Sequence, residues 1–496
     1  MKQIPRRDFH KKIKTTDSFD VIVIGGGATG LGVALDAVSR GFSVLLLEMD
    51  DFGNYTSSKS TKLLHGGVRY LQNGDVRLVI EALKERKFVL ENAPHLSKIQ
   101  NFVIPVYDNW KRYYYYAGLS IYDLLSMGRS TGKTKWLSKE ETIEKLPNIN
   151  QKDLKGGIEY TDGQFDDARL CIDLVHTIIE NGGICLNQAE VYRIMHDKQN
   201  VYGVEYRDRV LDEHIFIKGK VVINCAGVFS DDVSDMGDVN RPYDTIGSRG
   251  SHIVVSKDFL KTDNAIMIPE TSDGRVLFII PWKNVAIIGT TDVFVKHYAK
   301  HPYVSQEEVD YLLESIKDYL TDIPTERDIL SRFAGIRPLP SRDNVFKDTK
   351  DLSRRHRTLR LKHNFYAVIG GKWTTFREMG EETIDMIIDT GDLPDVPSNS
   401  KNIKILNGNP TVVKPNEWIT DNLPYSIDYF KYSIENEYVV DVEDLLCRRS
   451  RALFINKEEA LAIMPFLVDL MSTMRGENFA WKRVQEYFFK QTAKKF

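Results

Sequence analysis

The sequence has few cysteines, no long apolar run and almost no net charge, and each shortage excludes a class of protein. Its four cysteines are scattered over 496 residues without a Cys-x-x-Cys pair, so we expect no disulfide framework, zinc site or iron–sulfur cluster, and a reducing compartment. No apolar run reaches the roughly 18 residues of a membrane-spanning helix. The net charge of −3 gives no general attraction to nucleic acid, so any anion site must be local.

Both ends of the sequence are basic. The first residues, MKQIPRRDFHKKIK, lack the apolar stretch of a secretory signal. We interpret residues 1–19 as a solvated tail, with attraction to a membrane surface as the alternative. The last residues, WKRVQEYFFKQTAKKF, mix aromatic and lysine side chains, which fits an interfacial helix or a packed terminal helix.

The chain is long enough for two or three domains. Residues 20–48 and 364–388 each predict a buried strand, a glycine turn and a helix. Between them, VYRIMHDKQNVYGVEYRD predicts a hairpin, KVVINCAG a buried strand, and SHIVVS, RVLFIIPW and VAIIGTTD an antiparallel sheet. SKEE and SQEE predict two helix starts. Residues 391–422, rich in Pro, Asn, Asp and Gly, predict a linker, and residues 423–496 a small helical domain.

Three glycines indicate a dinucleotide-binding turn. Gly25, Gly27 and Gly30 form Gly-x-Gly-x-x-Gly between a strand and a helix, a pattern that permits a tight turn, backbone approach to a pyrophosphate and close helix–strand packing. The helix N-terminus adds free N–H groups for phosphate, and Glu48, at the end of the second strand, can bind ribose hydroxyls. A single Gly-x-Gly-x-x-Gly motif is compatible with two cofactors. One is NAD bound beside a substrate domain, and the other is a flavin that the substrate reduces directly.

A second glycine pair lies in STKLLHGGVRYL, residues 60–71. Gly66 and Gly67 carry no side chain, so the backbone can lie close to the flat ring of a cofactor. Lys62, His65 and Arg69 bring cations into an otherwise apolar stretch. This combination predicts a ring-binding segment beside a local anion site.

Six motifs carry a family resemblance. GGGATGLG, TSSKSTKLLHGGVRYL, GSHIVV, IIGTTD, GIRPL and GGKWTTFREM occur in this order, and the sequence resembles the FAD-dependent glycerol-3-phosphate dehydrogenases. The resemblance runs from about residue 20 to residue 388 and returns at VEDLLCRRSRALF. It departs at Val228 and Phe229, where Pro-Trp is expected, and at Arg355, where an acidic residue is usual and where the arginine would make the substrate rim more basic.

The resemblance implies an α/β fold with a glutathione-reductase-like FAD-binding Rossmann domain, an inserted antiparallel β-sheet substrate domain and a C-terminal helical domain. FAD-binding segments would be about 20–100, 150–235 and 364–390, and substrate-sheet segments about 100–150 and 236–363. The implied reaction oxidises sn-glycerol 3-phosphate to dihydroxyacetone phosphate by hydride transfer to FAD, with electrons passed to ubiquinone or menaquinone. The implied setting is cytoplasmic, peripheral to the inner face of the cell membrane, and compatible with a homodimer.

The resemblance also implies the site residues, and no metal site. Arginine binds phosphate as a planar bidentate donor and lysine as a point charge. The implied substrate contacts are Arg69, Tyr70, Arg337, Arg354, Lys372 and Thr374. The implied cofactor contacts are Gly25, Gly27, Gly30, Glu48, Ser57, Ser58, Ser60, Lys62, His65, Gly66, Gly67, Gly371, Lys372 and Thr375.

The catalytic base is expected to be a histidine, because an imidazole near its ordinary pKa of ~6.5 can take a proton near neutral pH. The candidates are His65, His252 and His356. We favour His252, since GSHIVV lies in the expected substrate sheet and His65 lies beside the expected flavin. Arg337 is expected to assist, because a desolvated arginine can stabilise an alkoxide while water removes the proton.

Three alternative functions stay open. Oxygen in place of quinone would make the chain an H2O2-forming glycerol-3-phosphate oxidase, although known oxidases of this fold tend to be longer. An amine or amino-acid oxidase would have to bind a carboxylate, whereas the cations of the motifs suit a dianionic phosphate better. A non-catalytic flavoprotein would be expected to have lost Arg69, Arg337 and Lys372, which are all present.

Overall fold

The computed structural model describes residues 3–67, 75–126, 132–342 and 355–496 and places their strands in two sheets. The first sheet has a parallel centre, as its continuous apolar strand sequences predict, because strands buried on both faces need no polar side. The predicted hairpin, Ala189–His196 with Val201–Asp208, extends this sheet on one side. The remaining strands, in spatial order, are Arg357–Lys362, Phe365–Ile369, Glu213–Asn224, Phe19–Ile24, Val44–Leu47 and Ile184–Leu186.

The second sheet is mainly antiparallel, in agreement with the strands predicted from SHIVVS, RVLFIIPW and VAIIGTTD. Its longest pairing joins Asp244–Ser256 to Ile329–Ser341, and one parallel pairing joins Ala265–Ile268 to Ser97–Val106. Its other strands in the described ranges are Leu63–Leu64, Lys135–Leu137, Gly156–Phe165, Leu277–Trp282, Val285–Gly289 and Val293–Val295.

Helices cover the first sheet and form the C-terminal part of the chain. Both predicted capping boxes are present, with the hydroxyls of Ser138 and Ser305 accepting hydrogen bonds from the third helical N–H group. No helix in the described ranges combines the length and apolar composition needed to cross a membrane. The helices of six or more residues in those ranges are Arg6–Thr15, Ala28–Ser39, Val76–Asn92, Asn109–Leu125, Lys139–Lys145, Asp167–Glu180, Ser230–Asp235, Gln306–Lys317, Phe376–Asp389, Ile427–Asn436, Lys457–Arg475 and Phe479–Ala493.

The N-terminal residues form a packed helix, so the interpretation of residues 1–19 as a solvated tail is wrong. Helix Arg6–Thr15 buries Phe9 and Ile13 against the core of the first sheet. The ring of His10 lies 2.6 Å from the carboxylate of Asp208. Phe9 and Ile13 are four residues apart and therefore share one helical face, a spacing that the surrounding basic residues obscure.

Three strands lie on the other side of the expected segment boundaries. The short strand Leu63–Leu64 belongs to the second sheet, whereas the sequence predicts residues 20–100 on the cofactor side. Gly156–Phe165 belongs to the second sheet, whereas the sequence predicts residues 150–235 on the cofactor side. Arg357–Lys362 belongs to the first sheet, whereas the sequence predicts residues 236–363 in the substrate sheet. Strand periodicity identifies a buried face but not the neighbouring strand, so it does not assign a strand to one of two sheets.

The expected linker is fastened to the first sheet's helices. Residues 391–422 contain only short helical turns. The hydroxyls of Ser398 and Ser400 lie 2.5 Å and 2.8 Å from the buried carboxylate of Asp36. This segment therefore has a fixed path between the helical C-terminal part and the rest of the molecule.

VEDLLCRRSRALF does not form one continuous helix. It folds into the short helix Val442–Asp444, a π-helical turn at Leu445–Arg449 and the short helix Ala452–Ile455, with Arg451 between them at a φ of 65°. The C-terminal core also contains Phe333 of the second sheet and neighbouring side chains of that sheet. The interrupted helix thus points the three arginines of the CRRSR motif, Arg448, Arg449 and Arg451, into the protein interior.

Candidate active site

A cleft opens at the carboxyl ends of the parallel strands of the first sheet. This is the edge at which α/β proteins bind nucleotides. The cleft lining brings together segments that are far apart in the sequence, including the loop 51–57, which we call the cleft loop. Of the predicted site residues, the lining contains Gly25, Gly27, Glu48, Ser57, Gly371 and Lys372.

Two glycines of the first turn are required by close backbone contacts. Gly25 has a φ of 109°, and a Cβ atom on it would lie 2.5 Å from the carbonyl oxygen of Cys225. A Cβ atom on Gly30 would lie 1.9 Å from the carbonyl oxygen of Gly25. Gly30 is outside the cleft lining and supports the turn from behind, as the third glycine of the fingerprint does.

The N-terminus of helix Ala28–Ser39 faces the cleft. Gly27 precedes it and supplies no side-chain cap, so the first turn presents its N–H groups and the positive end of the helix dipole. The hydroxyl of Ser57 accepts a hydrogen bond from the N–H group of Ala28 at 2.9 Å. Ser57 therefore lies where a phosphate bound at this helix end would contact it.

Glu48 is a buried carboxylate at the end of its strand. Its oxygens accept hydrogen bonds from the N–H groups of Gly26 (2.7 Å) and Asp50 (2.9 Å). Burial raises the pKa of Glu48 to about 7, against these two hydrogen bonds, which lower it. The carboxylate lines the cleft, in the position that the sequence predicts for a ribose-binding acid.

A second glycine turn closes the other side of the cleft. Gly370 and Gly371 have φ values of 79° and 93°, which favour glycine. Lys372 follows them in the cleft lining, and the indole N–H group of Trp373 donates a hydrogen bond to the carbonyl of Ser57 at 2.7 Å. Thr375 is buried behind this turn, with its hydroxyl donating to the carbonyl of Lys372 at 3.3 Å.

The segment with the second glycine pair contacts this turn through His65. The backbone N–H group of His65 donates to the hydroxyl of Thr374 at 3.3 Å. A neighbouring side chain leaves no space for a Cβ atom at Gly66, since that atom would lie 2.8 Å from the ring of Tyr122. Packing against Tyr122 is thus one reason for glycine at this position, and the predicted close approach of Gly66 to a flavin ring stays a prediction. Gly67 is buried with a φ of 77°.

Ser58, Ser60 and Lys62 do not line the cleft. Lys62 is fully buried and its ammonium lies 2.6 Å from the carboxylate of Asp167; burial lowers its pKa to about 8. The hydroxyl of Ser60 donates to the same carboxylate at 2.7 Å, and Ser58 is buried with its carbonyl accepting from Lys62 at 3.1 Å. These three residues therefore have protein partners beside the cleft, and their predicted cofactor contacts stay predictions.

His252 lies in the second sheet and is almost completely buried. Its ring stacks on Phe333 with a centroid distance of 4.7 Å. Gly289 makes room for the ring, because a Cβ atom there would lie 2.2 Å from His252 Cδ2. Burial first, and then the charges of Lys62 and Arg337, lower the pKa of His252 well below its ordinary value. The imidazole is therefore neutral near neutral pH.

Arg337 lies on the same sheet face as His252, because positions 248, 250 and 252 pair with positions 337, 335 and 333 and alternate residues share a face. Its guanidinium lies above Gly250, where a Cβ atom would be 2.3 Å from Nη2. Nη2 donates to the hydroxyl of Thr290 at 3.2 Å. Strand Ile329–Ser341 borders the cleft at Pro338; we call this place the junction of the cleft with the second sheet, and the side chain of Arg337 lies on the strand face opposite to that of Pro338.

Several other candidates lie away from this junction or outside the described residues. His356 is paired with the carboxylate of Glu382 at 2.9 Å, on the helix side of the second glycine turn. Arg355 is paired with Asp75 at 3.0 Å, so its charge has a carboxylate partner. The predicted contacts Arg69, Tyr70 and Arg354 lie outside the described residues.

Sequence reasoning missed much of the cleft wall. The sequence KVVINCAG predicts a buried strand that enters a turn. Because the carboxyl ends of parallel strands meet at one edge of a sheet, this turn is predictable as part of the cleft lining. The departures Val228 and Phe229 belong to this lining. The missed lining residues include Asn54, Tyr55, Thr56, Val191, Ala226, Val228, Phe229, Pro338 and Trp373.

The cleft residues fit an extended dinucleotide. The first turn carries no side chains that would block a pyrophosphate, the helix N-terminus faces the same space, and a buried carboxylate lies at the next strand end. Residues 20–386 match the family of FAD dependent oxidoreductases, and residues 402–483 match the C-terminal domain of alpha-glycerophosphate oxidase.

Curated relatives that match over nearly the whole of this chain agree with the family match. The chain is 34% identical to the mitochondrial glycerol-3-phosphate dehydrogenase of Mesocricetus auratus, over 98% of this chain and 74% of that protein. It is 32% identical to the Saccharomyces cerevisiae enzyme of the same name, over 97% and 89%. The X-ray structure of the Bacillus halodurans glycerol-3-phosphate dehydrogenase complexed with FAD is similar with a TM-score of 0.78 and 26% identity, over 98% of this chain and 97% of that chain. Because these matches include both glycine turns of the cleft, the chain belongs to the FAD-dependent glycerol-3-phosphate dehydrogenases, and FAD is its cofactor.

Proposed function

We propose that this chain oxidises sn-glycerol 3-phosphate at the junction of the cleft and the second sheet. The observation that supports the proposal is a pair of cations: Lys372 in the cleft lining, and Arg337 above Gly250 on the strand that borders the cleft. A dianionic phosphate needs cations of this kind. Arg69, Tyr70 and Arg354 remain expected substrate contacts from the sequence.

Different residues of the cleft would bind different parts of FAD. Gly25, Gly27 and Ser57 would hold the pyrophosphate, and Glu48 the ribose, by the contacts that their positions allow. FAD supplies the two-electron oxidant when bound. Lys372 and Thr374 are placed to orient the substrate beside it, since Thr374 links this turn to His65.

A neutral histidine is available for the proton of the substrate's C2 hydroxyl. His252 is the proposed base, because its lowered pKa keeps the ring unprotonated near neutral pH. His65 is half-buried beside Thr374 and is the second candidate. Arg337, on the same sheet face as His252, would stabilise negative charge on the reacting oxygen.

The proposed reaction is tested by mixing the FAD-loaded protein with sn-glycerol 3-phosphate under argon. We expect the flavin colour to bleach with glycerol 3-phosphate but not with glycerol, which lacks the phosphate that Arg337 and Lys372 would bind. Added quinone should restore the colour. Absence of bleaching at millimolar substrate contradicts the proposed reaction, and peroxide formation in air without quinone assigns the oxidase activity in its place.

We propose further that the chain works at the inner face of the cell membrane and passes electrons to ubiquinone or menaquinone. The support is the helix Asn109–Leu125, which we call the aromatic helix. Trp110 and Leu124 are 80% and 77% exposed, and they share one helical face with further apolar residues. That exposed face is formed by Trp110, Tyr113, Tyr114, Ala117, Ile121 and Leu124.

An exposed stripe of tryptophan, tyrosine and aliphatic residues suits the interface of a lipid bilayer. Lys133 and Lys135 are exposed close by along the chain and would meet anionic headgroups. The basic N-terminus is a weaker candidate for binding anionic lipid, because Arg6 and Lys14 pair with Asp208 and Glu213, respectively, at 2.7 Å each. The aromatic helix is therefore the proposed lipid-binding surface.

Sedimentation with vesicles of phosphatidylglycerol and phosphatidylcholine tests this surface. The double variant Trp110→Ser/Leu124→Ser should bind at least about tenfold more weakly, since each lost apolar contact is worth more than 1 kcal/mol. The matched control Tyr487→Ser/Phe488→Ser changes two exposed aromatics of helix Phe479–Ala493 and should bind like the parent. If only the control variant lost vesicle binding, the terminal helix would be the lipid-binding surface in place of the aromatic helix.

A further inference from the structure

The buried imidazole of His252 is connected to less buried surroundings by a hydrogen bond. Its Nε2 lies 3.0 Å from the hydroxyl oxygen of Thr61. His252 is 1% exposed, whereas Thr61 is half-buried. We infer that Thr61 is a catalytic residue whose hydroxyl carries the substrate proton to His252, a step that rests on the proposed function.

The backbone path places Thr61 on the sheet face that carries Arg337. Gly335 pairs with Gly250 on that face, and a Cβ atom on Gly335 would lie 2.9 Å from the carbonyl oxygen of Lys59. The segment 59–61 therefore crosses the face directly above Gly335. A substrate bound by Arg337 would meet the half-buried hydroxyl of Thr61 rather than the ring of His252, which is 1% exposed.

The hydrogen bond at Nε2 is the one contact among the described residues through which a proton can reach the ring of His252. Its Nδ1 is buried and, among the described residues, has no hydrogen-bond partner, so the ring has no second described partner for a proton. The charged groups that face the ring are Lys62, from the segment of Thr61, and Arg337, from the adjacent strand. Both are cations, and they keep the ring neutral until the reaction delivers a proton.

The step balances in atoms and electrons. The C2 hydroxyl of the substrate gives its proton to Thr61 Oγ1 as the Thr61 proton moves to His252 Nε2. The hydrogen on C2 leaves with the bonding electron pair to the FAD oxidant of the family reaction, and the C2–O bond becomes a carbonyl. The substrate is oxidised by two electrons, FAD is reduced, and His252 holds the proton until water removes it.

Two variants at position 61 separate the hydroxyl from the shape of the side chain. In the FAD-loaded protein, Thr61→Val keeps the shape and should lower the limiting rate of anaerobic flavin reduction by about 100-fold, in the range of general acid–base catalysis. The substrate concentration at half-maximal rate should stay within about threefold of the parent. Thr61→Ser keeps a hydroxyl and should restore most of the rate.

Two further measurements distinguish a relay from a structural role. The parent's limiting rate should fall on the acid side with an apparent pKa below ~6.5, and Thr61→Val should lose this acid limb. Binding of dihydroxyacetone phosphate, followed by the flavin absorption change, should be equal in Thr61→Val and the parent. The relay is overturned, while the proposed function stands, if Thr61→Val reduces its flavin as fast as the parent. The same holds if its slower reduction is explained by weaker binding of the substrate or of dihydroxyacetone phosphate. A parent that the substrate does not bleach overturns both.

Discussion

Replacing Arg448 with methionine is expected to lower the free energy of unfolding by about 3–5 kcal/mol and to release FAD from the protein. Arg448 is 1% exposed and its guanidinium contacts Asp51 and Asp444, with further hydrogen bonds to Asn54 Oδ1 (2.8 Å) and Glu443 (3.2 Å). Methionine fills a similar volume but leaves these buried polar groups without their cation.

The loss of stability is expected to reach the cofactor because Arg448 connects two parts of the chain. Asp51 and Asn54 belong to the cleft loop, whereas Arg448 and Arg449 belong to the C-terminal helical part. Burial alone would raise the pKa of Asp51, yet the guanidinium groups of Arg449 and Arg448 hold it below its ordinary value. Without Arg448, the carboxylate of Asp51 keeps only the compensation from Arg449, and the cleft loop loses one of its two arginine anchors.

Thermal unfolding with and without added FAD measures the effect of Arg448→Met, together with the flavin absorbance of the purified protein. The matched control is Arg483→Met, which changes an exposed arginine of the same C-terminal part and should leave both measurements unchanged. Full flavin content and a parental melting temperature in Arg448→Met would show that the cleft loop holds its shape without the C-terminal arginines.

Arg337→Ala is expected to lower kcat/KM for glycerol 3-phosphate by about 10³-fold, or about 4 kcal/mol. The guanidinium lies above Gly250 and is oriented by the hydroxyls of Thr290 and Ser248 at 3.2 Å and 3.4 Å. Alanine would remove both the charge that binds the phosphate and the charge that stabilises the reacting oxygen. Both kcat and KM should change.

Arg337→Lys should recover part of the loss, since lysine restores the charge but not the planar donor pair. Arg332→Ala is the matched control: Arg332 lies on the same strand, but at an odd spacing from Arg337 and therefore on the opposite face. Steady-state kinetics with a dye acceptor measures all three variants. Equal losses in Arg332→Ala and Arg337→Ala would attribute the effect to the strand and remove Arg337 from the site.

Local patterns predicted the parts of the fold and cleft that depend on backbone geometry. The two glycine turns, the buried strands beside them and the acid at the strand end follow from steric and hydrogen-bonding rules that act within a few residues. Gly25, Gly30 and Gly371 therefore stand where the sequence places them. The capping boxes at Ser138 and Ser305 are predictable for the same reason.

The partners of buried side chains were not predictable, because no short-range rule determines them. Lys62 pairs with Asp167, which follows it by 105 residues, and Gly66 makes room for Tyr122. The apolar contacts of helix Arg6–Thr15 with the core of the first sheet likewise depend on the assembled tertiary structure. Thr61 could not be singled out from the sequence, because a threonine just before a short strand is ordinary until a histidine is found beside it.

The order in which the cleft residues are synthesised has a consequence for cofactor loading. The lining extends from Ile24 to Trp373, and the arginines that anchor the cleft loop lie further on, at positions 448 and 449. A growing chain thus makes the first glycine turn early but completes the cleft only after most of the protein has left the ribosome. We therefore expect flavin insertion to follow synthesis of the C-terminal part, and the incomplete polypeptide to be exposed to aggregation until then.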